Sequence, residues 1–282
     1  MCSTCGCSDE AHITITDVKA PRELRDYDPT RAHHHSGDQH RHGDHDHDLH
    51  VQADQHSKPD QSSSGGRLIR LEHDLLEKNN RLAERNRLWF EGREICAVNL
   101  MSSPGAGKTT LLERTIGELG AEYQISVIEG DQATTRDAER IDAAGCRVIQ
   151  VNTGNGCHLD SAMVAEALRK LDPPAHSLVM IENVGNLVCP ALFDLGERKK
   201  VVIMSVTEGE DKPLKYPHMF RAADLMILNK VDLLPHISFS VEHCIDYARK
   251  VKPLIKIIAT SATKETGLDE WCSWLRTEIS KL

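Results

Sequence analysis

A phosphate-binding loop constrains the fold of this chain more than any other feature of its sequence. Residues 102–109 read Ser-Ser-Pro-Gly-Ala-Gly-Lys-Thr, directly after the apolar run 95–101 and before a helical stretch. The motif needs this context, in which a buried strand enters the loop and a helix leaves it. The loop therefore predicts that the chain binds a nucleoside triphosphate.

Short apolar runs and helical stretches alternate through the rest of the chain. The predicted strands are 95–101, 125–129, 147–151, 178–182, 200–206, 225–228 and 255–259. The predicted helices are 108–119, 135–144, 161–171, 241–251 and 268–279. Together with the phosphate-binding loop, this alternation predicts an α/β fold, a mostly parallel P-loop sheet with helices on both faces. Loops at the carboxyl ends of its strands are expected to carry the chemistry.

Composition divides the chain into three zones. Residues 1–66 hold 12 Asp and Glu against 6 Lys and Arg, so −6 of the total charge of −9 lies there, with 10 of the 16 His. This zone has too few apolar residues to form a core, which predicts a largely disordered metal-binding tail. Residues 67–92 are predicted to be an amphipathic helix ended by Gly92, and 93–282 to form the GTPase domain.

The apolar face of that helix is predicted from a seven-residue spacing. Leu68, Leu75, Leu82 and Trp89 recur along one stripe with charged residues between them. Such a stripe normally docks on a neighbouring part of the same chain. A contact between subunits remains the alternative.

The bulk properties also exclude several classes of protein. An acidic chain lacks the basic face that nucleic-acid binding requires. No apolar stretch reaches the length of a membrane helix, and no secretory signal pattern is apparent at the amino terminus. Nine Cys without such a signal predict reduced thiols and a cytoplasmic protein.

The phosphate loop assigns its residues definite roles. Gly105 and Gly107 let backbone N–H groups close around the phosphates. Lys108 is expected to reach the β- and γ-phosphates, and Thr109 to ligate Mg²⁺. The predicted phosphate contacts are Gly105, Ala106, Gly107, Lys108, Thr109 and Thr110.

Guanine is the predicted base. Asn229-Lys230-Val-Asp232 follows a predicted strand, and an Asp carboxylate can accept hydrogen bonds from guanine N1–H and its exocyclic amine. Ser261 and Ala262 follow the next strand and fit a second base-contacting loop. These segments predict GTP and GDP as the nucleotides, whereas a polar turn would be the alternative for the first segment alone.

Acidic residues end two further strands. Asp131 and Glu182 are predicted to act beside Lys108 and Thr109 by holding Mg²⁺ or positioning the attacking water. Gly185 N–H is expected to meet the γ-phosphate. Because no residue is obviously placed to orient water well, hydrolysis is predicted to be slow without a partner. Glu129 could be a surface residue and Glu182 a helix-end partner.

The tail carries two candidate metal sites. Cys2, Cys5 and Cys7, with an amine exposed by loss of Met1, offer donors that suit Ni²⁺ and also bind Zn²⁺. A disordered end with incidental thiols is the alternative. Nine His between residues 33 and 56 favour weak, interchangeable sites for storage, or a solvated linker.

A third candidate metal site combines Cys157, His158 and Cys189. Their loops are predicted to leave the sheet on the phosphate edge, so a bound metal would lie near the γ-phosphate. Three donors are too few for a closed site, which favours either a water ligand or a site shared between two chains.

These motifs together resemble the hydrogenase nickel-incorporation GTPases, the HypB family of P-loop metallochaperones. The resemblance rests on the amino-terminal Cys cluster and on residues 99–110, 153–160 and 181–190, which include Asn-Leu-Met-Ser-Ser-Pro-Gly, Gly-Asn-Gly-Cys-His and Ile-Glu-Asn-Val-Gly-Asn. It implies a cytosolic protein that delivers Ni²⁺ to the large subunit of [NiFe]-hydrogenase. It also implies GTP-promoted homodimerisation, a small nickel metallochaperone partner, and Ni²⁺ or Zn²⁺ at Cys157, His158 and Cys189.

Two other functions compete with this one. The same kind of GTPase could serve urease, although residues 181–190 and the amino-terminal Cys cluster argue against it. A nickel-sequestering protein with an incidental nucleotide site is the other alternative.

Overall fold

The computed structural model describes residues 13–19, 62–132 and 134–282, and side chains of the long first helix from residue 73 onward. The predicted tail ligands Cys2, Cys5 and Cys7 and the His-rich segment lie outside these residues. No helix within the described ranges is both long and apolar enough to span a bilayer.

The described residues form an eight-stranded sheet of order β1-β4-β3-β5-β2-β6-β7-β8. All neighbouring strands are parallel except β1 and β4, so the predicted mostly parallel sheet is confirmed. The strands are β1 Thr14–Asp17, β2 Cys96–Ser102, β3 Ile125–Asp131, β4 Arg147–Asn152, β5 Leu178–Glu182, β6 Lys199–Ser205, β7 Leu225–Asn229 and β8 Lys256–Ala259.

Helices cover both faces of the sheet. They are α1 Ser62–Glu91, α2 Lys108–Leu119, α3 Arg136–Ala143, α4 Ser161–Leu171, α5 Cys189–Leu192, α6 Lys212–Lys215, α7 Pro217–Ala222, α8 Val241–Val251 and α9 Leu268–Ile279, with a 3₁₀ helix at Val231–His236. The helices α5, α6 and α7 and the 3₁₀ turn were not predicted, because four to six residues are too few to show helical periodicity.

Strand side chains alternate between two apolar layers, as a two-sided sheet requires. On one face, Val98 and Leu100 of β2 pack with α2, α3 and α9 around Trp271. On the other face, α4 packs against Ile149 and Ile181, and α7 and α8 extend this layer along β6 and β7. The central strand β2 is buried along its whole length, so the phosphate loop follows directly from the core of the domain.

β1 corrects one expectation about the tail. The sequence assigned residues 14–17 to the largely disordered zone, but they pair antiparallel with β4, Ile15 opposite Val151. Ile15 packs against the apolar layer of α4, and Lys170 Nζ donates to its carbonyl oxygen at 2.7 Å. Four residues of alternating polarity gave too short a pattern to separate this edge strand from the polar tail around it.

The docked face of α1 is also different from the predicted one. Asn79, Ala83, Asn86 and Phe90 are buried, whereas Leu75 of the predicted stripe is 43% exposed. Positions spaced by four, three and four residues share one face of a helix, so two amides and two apolar side chains face the domain. Trp89 of the predicted stripe packs beside this row. The prediction followed apolar spacing and could not anticipate that two buried amides hold this helix.

Candidate nucleotide site and metal-ligand cluster

A cleft of about 470 Å³ lies at the carboxyl ends of the central strands. It brings together most residues that the sequence predicted for phosphate, Mg²⁺ and catalysis: Gly105, Gly107, Lys108, Thr109, Thr110, Asp131, Glu182 and Gly185. Ala106 is buried within the loop itself. These residues come together because parallel strands end at one edge of the sheet.

The phosphate loop has the backbone that its glycines predict. Gly105 and Gly107 have φ angles of 73° and 98°, a region that other residues rarely occupy. A side chain at Gly107 would also collide with the amide of Asn229. Lys108 Nζ donates to Ser102 Oγ at 2.9 Å, so its ammonium stays folded over the loop.

Thr109 and Glu182 form the chemical centre of the cleft. Thr109 Oγ1 donates to Glu182 Oε1 at 2.7 Å, and burial raises the pKa of Glu182 to about 7. Within the described residues Glu182 Oε2 is buried without a hydrogen-bond partner. A hydroxyl beside an unsatisfied buried carboxylate oxygen fits Mg²⁺, which prefers oxygen ligands.

Glu129 lies in the cleft, although the sequence also allowed a position on the surface. It is 2% exposed and lies directly opposite Glu182 in the β3–β5 register. Burial, together with the negative charge of Glu182, raises its pKa to about 9, so its carboxyl group is neutral at pH 7. The sequence feature that could have predicted this place in the cleft is the position of Glu129 near the end of a buried strand.

Asp131 lies at the rim of the same cleft. Its carboxylate accepts hydrogen bonds from Gln132 N at 2.8 Å and from Thr134 N and Oγ1 at 2.9 and 2.7 Å. These bonds hold the turn that leads into α3. Asp131 therefore holds this turn and also contributes a carboxylate to the cleft.

The two predicted base loops meet the phosphate loop at a second cavity of about 230 Å³. Asn229 Nδ2 donates to Ala106 O at 2.9 Å, and Lys230 Nζ donates to Gly105 O at 2.7 Å. Ser261 Oγ donates to Asp232 Oδ1 at 2.5 Å, which fixes the carboxylate at the cavity wall.

Ala262 completes this arrangement from the second base loop. Its backbone N–H donates to Asn229 Oδ1 at 3.3 Å, so one Asn side chain bonds both the phosphate loop and the loop after β8. Hydrogen bonds thus connect the five residues predicted to contact the guanine base, although their sequence positions span more than thirty residues.

Cys157, His158 and Cys189 come together although they leave different strands. Their ligand atoms lie within 4.8 Å of one another, and Cys157 Sγ is 3.7 Å from His158 Nδ1. Burial lowers the pKa of His158, which favours the neutral imidazole that binds metals. Two thiols and one imidazole suit Ni²⁺ or Zn²⁺.

One buried amide, which the sequence reasoning passed over, joins this cluster to the cleft. Asn183 follows Glu182, and its Oδ1 accepts from Leu159 N and Val184 N, each at 3.0 Å. Leu159 in turn follows His158. Asn183 Nδ2 also donates to Asn99 Oδ1 of β2 at 3.3 Å. An amide placed after a strand-end carboxylate was the sequence signal for this link.

Comparison with known proteins supports a common origin for both sites. Residues 96–259 match the model of the CobW/HypB/UreG nucleotide-binding domain. Over 303 aligned positions the chain is 50% identical to the hydrogenase maturation factor HypB of Escherichia coli strain K12, and the alignment covers 99% of both chains. These matches include the phosphate loop and the Cys157-His158 segment.

Solved structures resemble the fold as well. The hydrogenase maturation factor HypB from Archaeoglobus fulgidus has a TM-score of 0.67 at 42% identity, covering 72% of this chain and 99% of its own. HypB from Helicobacter pylori, solved in complex with nickel, has a TM-score of 0.68 at 35% identity, covering 72% of this chain and 96% of its own.

Proposed function

Because this chain belongs to the CobW/HypB/UreG family, and within it to the HypB hydrogenase maturation factors, we propose that it is a GTP-hydrolysing nickel metallochaperone. Its role is to insert Ni²⁺ into the large subunit of [NiFe]-hydrogenase during maturation. The observation that carries this proposal is the amide of Asn183, which lies one residue from Glu182 and bonds the residue after His158. A change at the γ-phosphate then has a short path to the metal cluster.

Nucleotide chemistry in this proposal belongs to the cleft. Lys108 binds the β- and γ-phosphates, and Asp232 selects guanine, while Gly185 N–H faces the γ-phosphate. Thr109 with Asp131 or Glu182 would hold Mg²⁺, which supplies positive charge against the phosphates. Burial raises the pKa of Glu182 to about 7, which suits a general base near neutrality. Because the sequence offers no residue obviously placed to orient the attacking water well, intrinsic hydrolysis is expected to be slow without a partner.

Nickel is the cargo, and the Cys157, His158 and Cys189 cluster holds it, with Zn²⁺ as a competing ion. GTP orders the segment from Glu182 to Pro190 and promotes homodimerisation, which changes metal affinity at the cluster. Hydrolysis reverses the change and releases the metal. Linkage requires that bound metal alters nucleotide affinity or dimerisation in return.

The remaining assignments complete the proposal. Residues 1–66 serve as a metal-binding tail with Cys2, Cys5 and Cys7 as ligands, 67–92 lead into the GTPase domain, and 93–282 form that domain. A small nickel metallochaperone and the hydrogenase large subunit are its partners in the cytoplasm.

A complementation experiment tests this function. Lys108→Ala removes the phosphate-binding ammonium, and exposed Lys250→Ala on α8 is the matched control. In a host lacking its own factor, the first variant should leave hydrogenase without nickel, and the second should restore full activity. Wild-type activity with Lys108→Ala, combined with its complete loss on deletion of residues 1–66, would instead identify a nickel store.

A further inference from the structure

We propose that two buried amides of α1, Asn79 and Asn86, are positioning residues for the metal cluster, because each of them bonds both of the loops that carry its ligands. The inference rests on the proposed metal role of Cys157, His158 and Cys189. It adds a function for α1, which contributes no ligand itself.

The first loop is held at Ser161, three residues after His158. Asn79 Oδ1 accepts from Ser161 N at 2.9 Å and lies 2.8 Å from Ser161 Oγ, which also approaches the Asn79 carbonyl oxygen. Asn86 Nδ2 donates to Ser161 O at 2.9 Å. The backbone N–H, the carbonyl oxygen and the hydroxyl of Ser161 thus all form hydrogen bonds with α1.

The same amides hold the second loop, which follows Cys189. Asn79 Nδ2 donates to Asp194 O at 2.7 Å, and Asn86 Nδ2 donates to Leu195 O at 3.0 Å. Arg87 adds a two-pronged contact to the Asp194 carboxylate at 2.9 and 2.7 Å. Helix α1 is therefore a common support for both loops.

The second loop packs closely against α1 at Gly196. Gly196 has a φ of 87°, and a side chain there would collide with the Ala83 carbonyl oxygen and the Asn86 side chain. Both amides are only 5% exposed, so water cannot replace their lost partners readily. The loop thus has one position against α1.

The second loop also touches a ligand directly. Phe193, adjacent to Asp194, packs its ring on His158 with centroids 3.9 Å apart. His158 is therefore fixed from two sides, through Ser161 along its own chain and through Phe193 across the cluster. Groups that hydrogen-bond a metal ligand directly typically change metal affinity about 10–100-fold when they are removed. Asn79 and Asn86 act one step further out, so their removal is expected to have an effect at the lower end of that range.

Nickel titration of the full chain tests the inference, in a background with Cys2, Cys5 and Cys7 replaced by Ser so that tail thiolates do not contribute. The nickel–thiolate charge-transfer band, followed while a chelator competes for the metal, reports the cluster, because nickel bound to tail His side chains gives no thiolate band. Asn79→Ala and Asn86→Ala are the test variants. Exposed Asn80→Ala, on the same helix, is the matched control.

The expected result is an altered band and a nickel affinity about 10-fold lower in both test variants, with GDP affinity unchanged in all three. A band and affinity equal to those of Asn80→Ala would overturn the inference and leave the metal site intact. A parallel loss of GDP affinity would also overturn it, since that pattern indicates general loosening. Absence of the band in the background protein would contradict the proposed metal role of Cys157, His158 and Cys189, and the inference about α1 with it.

If either Asn variant fails to fold, Ser161→Ala takes its place. This change removes only the hydroxyl bond to Asn79 and keeps both backbone bonds. A smaller loss of nickel affinity without loss of GDP affinity supports the inference, and unchanged nickel affinity contradicts it.

Discussion

Leu159 donates its backbone N–H to the side chain of Asn183 at 3.0 Å, and this bond ties the loop of His158 to the strand end of Glu182. Both residues are buried, so the bond is shielded from competing water. It is one of the described bonds that join the nucleotide cleft directly to the loop of the metal cluster, another running from Gln132 Nε2 to Gly156 O at 3.2 Å.

Asn183→Ala is expected to weaken the coupling between nucleotide and metal. The alanine cannot accept from Leu159, so movement at Glu182 no longer reaches His158 directly. The difference between the nickel affinities measured with GDP and with a non-hydrolysable GTP analogue should then become smaller than in the wild type. Asn80→Ala should keep the wild-type difference, and a full difference in Asn183→Ala would show that the coupling runs elsewhere.

Asp232→Asn is expected to change the preferred base from guanine to xanthine. Xanthine carries a carbonyl oxygen where guanine carries its exocyclic amine, and an Asn amide can donate to it. Binding of labelled GDP and XDP to the variant measures the exchange. Exposed Asp246→Asn serves as the control, and continued preference for GDP in the Asp232 variant would contradict the base assignment.

Glu182→Gln is expected to lower GTP turnover by about 100-fold while GDP still binds. The amide can still meet Thr109 but carries no negative charge for Mg²⁺ or a water proton. Single-turnover hydrolysis and equilibrium GDP binding separate the two effects. Exposed Glu118→Gln on α2 should behave as wild type. Equal losses of turnover and of GDP affinity in Glu182→Gln would reduce its role to structure.

Glu129 should make the nucleotide-free protein less stable as pH rises. Its pKa is about 9 in the folded state against an ordinary 4.5, so the folded state holds the proton more tightly. The stabilisation is complete below about pH 4.5 and is lost as pH rises toward 9, at a limiting slope of about 1.4 kcal/mol per pH unit.

Urea unfolding at several pH values measures that slope. Glu129→Gln removes the titrating group and should reduce the slope between about pH 7 and 9, above the pKa of Glu182, whereas exposed Glu118→Gln should not. Identical slopes in Glu129→Gln and wild type would mean that this carboxyl is already ionised in the folded protein.

The local patterns of the chain were sufficient for most of the fold. β5, α2, α4, α8 and α9 begin and end at the predicted residues, because each has a clear apolar period bounded by turn residues or caps. The edge strand β1 was missed because four residues form too short a pattern. The prediction of the docked face of α1 missed its amides, because their burial depends on hydrogen bonds from Asn79 and Asn86, which apolar spacing does not reveal.

The same distinction applies to the sites. Lys108, Thr109 and Asp232 lie in short motifs whose spacing specifies their geometry, so their positions were predictable. Asn183 and Glu129 gain their surroundings from strands that pair across the sheet, and only the register of β3 with β5 places Glu129 opposite Glu182. Such neighbours follow from topology and not from adjacent residues.

The central claim is that nucleotide state controls metal affinity at Cys157, His158 and Cys189. The most direct measurement is nickel and zinc titration of the reduced full chain with GDP and with a non-hydrolysable GTP analogue, while light scattering follows its mass. The account predicts that one site changes affinity with nucleotide and that the analogue produces a dimer. Many equivalent sites that bind metal identically with either nucleotide would contradict it.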